Sequence, residues 1–148
     1  MVDTPKLYDH DFHTWTQHTV ALLRAHRFDE LDLDALIEEV QDLGKSERNA
    51  IKSQLDRVLM HLLKWRYQPE RRTDSWLDSI TDARTQIADK IEDSPSLRNY
   101  PQTLLATCYS RARRRAARQT GLAPTTFPAV CPFSIEEALD DEWLPERE

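Results

Sequence analysis

The sequence predicts an all-α fold, a bundle of four main helices, and three observations lead there. Apolar residues recur three and four positions apart through four separate segments, the period of a helix with one buried face. Glycine occurs only twice in 148 residues, at Gly44 and Gly121, so the Asn-Gly and Asp-Gly signals of tight strand hairpins are missing. No stretch alternates apolar with polar residues as a half-buried strand does. The second helix is expected to be long, with a kink point at Gly44. A proline-rich strap and a short last helix follow the bundle, and residues 1–148 read as a single helical domain.

In the first helix Tyr8, Phe12, Trp15, Thr19, Leu22, Leu23 and His26 share one side. Asp9 and Asp11 stand at its start, where carboxylates meet free N–H groups and the positive end of the dipole. Phe28 to Leu33 connects, and Asp32 or Asp34 can cap the next element. The stretch Leu31–Pro69 carries the stripe Leu36, Val40, Leu43, Ile51, Leu55, Val58, Leu62 and Trp65. Gly44 costs about 1 kcal/mol inside a helix relative to alanine, so one kinked helix or two collinear ones both fit. Gln68-Pro69 ends the stretch.

Thr73 or Asp74 caps a third helix that buries Trp76, Leu77, Ile80, Ala83, Ile87 and Ile91, with Arg84 lying in that apolar face. Ser94-Pro95 suits a cap followed by a first helical position, and Pro101 limits that piece to one turn. The fourth main helix runs from about Pro101 to Gln119 with Leu104, Leu105, Cys108, Tyr109, Ala112 and Ala116 inward, and Gly121 supplies a left-handed C-terminal cap. From Leu122 onward the chain reads as an extended strap pressing Phe127 and Phe133 onto the bundle. Ser134 and Glu137 then form a capping box for the short last helix.

Composition removes several function classes. Two isolated glycines exclude the phosphate-cradling loops, and G-x-S-x-G is missing. The stretch MVDTPKLYDHDF lacks the apolar region of a signal peptide, and no apolar run approaches the roughly 20 residues of a membrane span. Cys108 and Cys131 are too few for a disulfide scaffold or a four-thiolate zinc site, so the reading is a cytoplasmic protein with reduced thiols that makes no membrane contact. Charge is segregated: residues 1–43 carry 10 acids and 3 bases, residues 44–118 carry 9 and 16, and residues 119–148 carry 7 and 1. Either the acidic ends fold over the basic middle, or the basic surface is kept for an anionic partner.

Several pieces combine into a family pattern. They are Tyr8-Asp9-x-Asp11-Phe12-x-x-Trp15, Leu36-Ile37-Glu38-Glu39, Leu43-Gly44-Lys45-Ser46-Glu47-Arg48 and His61-Leu62-Leu63-Lys64-Trp65-x-Tyr67-Gln68-Pro69. Arg72-x-x-Ser75-Trp76, Arg84, Ser94-Pro95-Ser96-Leu97, Thr120-Gly121-Leu122 and Phe127-Pro128-x-x-Cys131-Pro132 complete the set. With these the chain resembles, from Tyr8 to Pro145, the bacterial family catalogued as domain of unknown function 29. Gln119 departs from it, standing where the family is expected to have glutamate. The resemblance implies a helical fold and assigns no activity.

Two groups of residues could carry function. The first is Glu38, Glu39, Asp42 and Glu47 with His61 and Arg84. Inward carboxylates and histidines build di-metal sites in helical bundles, but those sites use Glu-x-x-His on two helices, a motif this sequence lacks. Glu47, Gln54 and His61 recur seven residues apart, yet His61 stands about 21 Å along a continuous helix from Glu47. His10 and His13 share a face without a third ligand at helical spacing. No metal and no cofactor are therefore expected. Glu39, Glu47 and Arg84 read as a buried polar cluster in which Glu47 pairs with Arg84, since burying either unpaired would cost several kcal/mol. Glu38 and Asp42 read as a solvated acidic face.

The second group is Arg111, Arg114, Arg115 and Arg118, which form one ridge of the fourth helix while Arg113 points elsewhere. Such a ridge can offset the negative helix end beneath the acidic tail, track phosphates, or meet a protein. The interleaved alanines give no stacking platform for single-stranded nucleic acid. The leading functional reading is a small helical protein-interaction module using the ridge or the acidic N-terminal third. Nucleic-acid binding through residues 111–118 and an acid–base or metal-dependent enzyme on the acidic residues of the long helix are the alternatives. No catalytic residue can be named, an enzyme is not the favoured reading, and no oligomeric state is specified.

Overall fold

The computed structural model describes residues 6–145, and over these the chain is all-α. Its helices are α1 (Leu7–His10), α2 (Phe12–Arg24), α3 (Leu33–Tyr67), α4 (Asp74–Asp93), α5 (Tyr100–Thr120) and α6 (Ile135–Leu139). Single 3₁₀ turns at Phe28–Glu30, Pro69–Arg71, Pro95–Leu97 and Pro124–Thr126 fill most of the connections. Among the described residues no helix is long and apolar enough to cross a membrane.

Helix ends fall where local chemistry puts them. The Asp11 carboxylate accepts from the Thr14 N–H at 3.1 Å, and the Asp32 carboxylate from the Ala35 N–H at 3.2 Å, opening α2 and α3. The Thr73 hydroxyl accepts from the Trp76 N–H at 3.2 Å, and Ser134 with Glu137 closes a full capping box on α6. Gly121 ends α5 with φ of 73°, a left-handed position that suits a residue without Cβ. The first long helix stops sooner than its apolar phase suggests. Arg24 is its last residue, and His26 sits at φ of 57° in the turn that follows.

The stretch around Gly44 is one α-helix, because α3 continues through the glycine to Tyr67. The chain nonetheless groups into two compact units divided next to that residue, Met1–Lys45 and Ser46–Glu148.

In the second unit, contacts give the helix directions. Glu47 meets Lys90, Arg57 meets Asp82, and Lys64 lies 4.5 Å from the Trp76 ring centre, so rising numbers in α3 meet falling numbers in α4. The two helices are antiparallel. Asp56 meets Arg111 and Lys64 meets Gln119, so α5 runs parallel to α3. Ile51, Leu55, Val58, Leu59, Leu62 and Leu63 of α3 pack with Ile80, Ala83 and Ile87 of α4 and with Cys108, Tyr109, Ala112 and Ala116 of α5. Alanines on α5 leave little side chain at that contact, which suits close helix packing.

The strap presses Phe127 and Phe133 into the same core. Phe127 meets Tyr67 edge-on at 5.3 Å, and the Tyr109 hydroxyl donates to the Pro128 carbonyl. Trp143 packs against Phe133 at 5.6 Å and so docks on its own chain. The first unit buries much less: Trp15, Thr19, Leu22 and Ala35 are the buried ones among its described residues, with Tyr8, Phe12 and Trp15 clustered ring to ring.

Because Gly44 is exposed and helical, Gly44→Ala removes backbone freedom from the unfolded chain. It is expected to stabilise by about 0.5–1 kcal/mol in urea unfolding. A loss of stability would show instead that the glycine is needed for close packing or a bend.

Candidate functional site

Within the second unit Glu47 and Arg84 do not pair, because each has another partner. Arg84 is buried at 3% exposure, yet it does not meet Glu47. Its Nε donates to the Ala138 carbonyl at 2.8 Å and its Nη2 to the Glu137 carbonyl at 3.2 Å. Both carbonyls lie in the last turn of α6, where that of Glu137 also accepts from the Asp140 N–H, and a cation there meets the negative dipole end. Burial pushes the Arg84 pKa down, while Asp140 and Asp141 push it back up. Arg84 thus clamps the short last helix onto α4.

Glu47 accepts from Lys90 at 3.0 Å, and both side chains remain more than a third exposed. The flexible lysine reaches from the neighbouring helix to a carboxylate that stays wet, which removes the need for a buried arginine. Glu39 belongs to the first unit, where its carboxylate accepts from the Tyr8 hydroxyl at 2.5 Å. That hydrogen bond, then desolvation, then the charges of Glu38, Glu39 and Asp42 hold the Tyr8 phenol protonated well above its ordinary range. Glu38 and Asp42 are exposed, as expected for an acidic face.

The arginine ridge divides. Arg111 pairs with the largely buried Asp56 at 3.1 Å, and Arg113 donates to the Phe127 carbonyl at 3.2 Å, so both serve the fold. Arg114, Arg115 and Arg118 are exposed and form no ion pair among the described residues. Of the acidic tail, Asp140 and Asp141 act on Arg84, and Glu146 and Glu148 lie outside the described residues.

His61 sits beside this surface with Nδ1 at 2.9 Å from the Arg57 carbonyl. Burial lowers its pKa, and the charges of Lys64, Arg57 and Arg115 lower it further. Among the described residues no three His, Cys, Asp or Glu side chains gather as they would around a metal ion. Burial raises the thiol pKa of both cysteines, that of Cys108 to about 12, which keeps them protonated and poorly nucleophilic.

What periodicity did not reveal is an apolar groove in the first unit. Helix α2 has two apolar edges. Trp15, Thr19 and Leu22 are buried, while Phe12, Val20 and Leu23 are 51, 44 and 38% exposed. On α3, Val40 and Leu43 are 59 and 67% exposed, although both belong to the predicted buried stripe. These residues line an open groove of about 310 Å³ with Trp15 and Leu36 at its base and Glu39 on its wall. The spacing 12, 16, 20, 23 and 36, 40, 43 was present in the sequence. The phase of a stripe, however, does not say whether anything covers it.

A family model described as Domain of unknown function DUF29 matches residues 7–144. No curated protein and no solved structure matches the chain.

The two charge partners separate cleanly by mutation. Arg84→Ala removes the guanidinium bonds to the Ala138 and Glu137 carbonyls, and is expected to destabilise by about 2–4 kcal/mol and to red-shift Trp143 emission. Glu47→Gln, at a half-exposed pair, is expected to change urea stability by about 0–1 kcal/mol. The opposite ranking would restore a buried Glu47–Arg84 pair.

Proposed function

The chain belongs to the DUF29 family, and we propose that it is a protein-interaction module whose acidic N-terminal unit presents the docking surface. The observation that carries this reading is the open groove bounded by Phe12, Val20 and Leu23 on one helix and Val40 and Leu43 on the other. Isolated exposed apolar residues are ordinary, but a contiguous stripe on two adjacent helices, flanked by charge, is how helical partners are received. Size argues the same way. A unit of 45 residues with few buried side chains gains little stability alone, and covering its groove would supply what it lacks.

A second reading rests on Arg114, Arg115 and Arg118, which stand exposed without ion-pair partners among the described residues and could follow a phosphate backbone. The composition weighs against it as the main activity, because residues 46–148 carry sixteen acids and sixteen bases and are electrically balanced.

One experiment addresses both readings. A photo-crosslinking side chain replaces Val20 in one form of the full chain and Arg118 in another, and each is irradiated in cells. The docking reading expects a discrete protease-sensitive adduct from position 20 that disappears when Leu23 and Leu43 are both changed to Ser. A nuclease-sensitive adduct from position 118, with nothing from position 20, would replace it with the second reading.

A further inference from the structure

We infer that the segment received by the N-terminal groove is a cationic amphipathic helix, an inference that rests on the docking reading above. Three features of the groove define this occupant. The first is shape. Two helices already form its walls, and both present apolar side chains toward the gap: Phe12, Val20 and Leu23 from α2, and Leu36, Val40 and Leu43 from α3. A third helix laying an apolar stripe along the gap completes a three-helix packing unit. The apolar wall on α2 spans Phe12 to Leu23, about 17 Å of helix axis, so about three turns of partner helix fill it.

The second feature is charge. The net charge of −6 for the whole chain resides in residues 1–45, which hold ten acidic and four basic side chains. The carboxylates are also asymmetric about the groove. Helix α2 contains no Asp or Glu, whereas α3 carries Glu39 in the groove wall; exposed Glu38 and Asp42 stand on other faces of α3 and reach the groove only through the field of the unit. Tyr8, bonded to Glu39, lies within the field of all three. A bound helix carrying lysines or arginines beside its apolar stripe would therefore be drawn by the net charge of the unit, with Glu39 the carboxylate at the groove itself.

The third feature disfavours self-association. A second copy of this unit would bring another ten acids against these, and like charges brought together across an apolar seam oppose docking. An anionic or neutral helix would satisfy the groove's shape but not its rim.

The test uses the full chain and three designed peptides of about five helical turns: a Leu/Lys amphipathic helix, its Leu/Glu counterpart, and a Leu/Lys peptide of scrambled order. Binding is followed by calorimetry, with backbone amide shifts of Val20, Val40 and Leu43 as the map. The Leu/Lys helix is expected to bind at these residues, and the other two peptides are not. Val40→Ser with Leu43→Ser, which alters exposed side chains and no charge, is expected to weaken binding at least about tenfold. Glu38→Gln with Asp42→Asn, which lowers the field of the unit without touching the groove, is expected to weaken it by about two- to threefold and to flatten its salt dependence.

Equal binding of the Leu/Glu helix, or no effect of Glu38→Gln with Asp42→Asn, overturns the cationic partner while leaving a docking groove in place. Equal binding of the scrambled peptide, or indifference to Val40→Ser with Leu43→Ser, shows adhesion elsewhere and overturns both. No binding by any of the three overturns the cationic helix, and the crosslink from position 20 then decides the docking reading separately. A concentration-dependent dimer abolished by Val40→Ser with Leu43→Ser makes a second copy the occupant.

Discussion

Six side chains of α3, Ile51, Leu55, Val58, Leu59, Leu62 and Leu63, have no exposed surface at all, and the second unit is arranged to keep them dry. One helix cannot cover such a wide apolar face, so α4 and α5 flank it from opposite directions and the strap closes the remaining side with Phe127 and Phe133. Each buried leucine or isoleucine contributes about 1.5–3 kcal/mol relative to exposure, which makes this row the main source of stability. Upstream in the same helix, Leu33, Ile37, Val40 and Leu43 are 47–67% exposed. The apolar pattern continues there, and the cover stops. That contrast within one helix is the basis for reading the N-terminal unit as a surface made to be covered.

Charge in the second unit is arranged locally and mostly for the fold. Asp56 answers Arg111, Asp82 answers Arg57, and Lys90 answers Glu47. Arg84 is the exception in kind, since it spends its donors on backbone carbonyls rather than on an acid. A planar guanidinium can reach two successive carbonyls at a helix end, where a single ammonium would fit less well. The side chain that looked misplaced in an apolar face is therefore the clamp that seats α6.

Much of the fold was legible because helix period, caps and turns are local properties. Asp11, Asp32, Thr73, Ser134 and Gly121 cap where their chemistry says they should. The six dry residues of α3 include four from the predicted stripe, Ile51, Leu55, Val58 and Leu62. The candidate site was less legible because it depends on what lies opposite each face. Phe12 and Trp15 are three residues apart and share a predicted side, yet one is half exposed and the other buried. Likewise, a helical wheel placed Glu47 and Arg84 inward but carried no information on the lysine or the carbonyls that would reach them first.

Native-state hydrogen exchange along α3 tests this account most directly, because one helix reports on both environments. Amides of residues 51–63 are expected to exchange through near-global unfolding, and those of residues 36–43 through a much cheaper local opening, with protection lower by at least about two orders of magnitude. Uniform protection from Leu36 to Leu63 would contradict it, since the N-terminal stretch would then be as firmly packed as the core and would have no need of a partner.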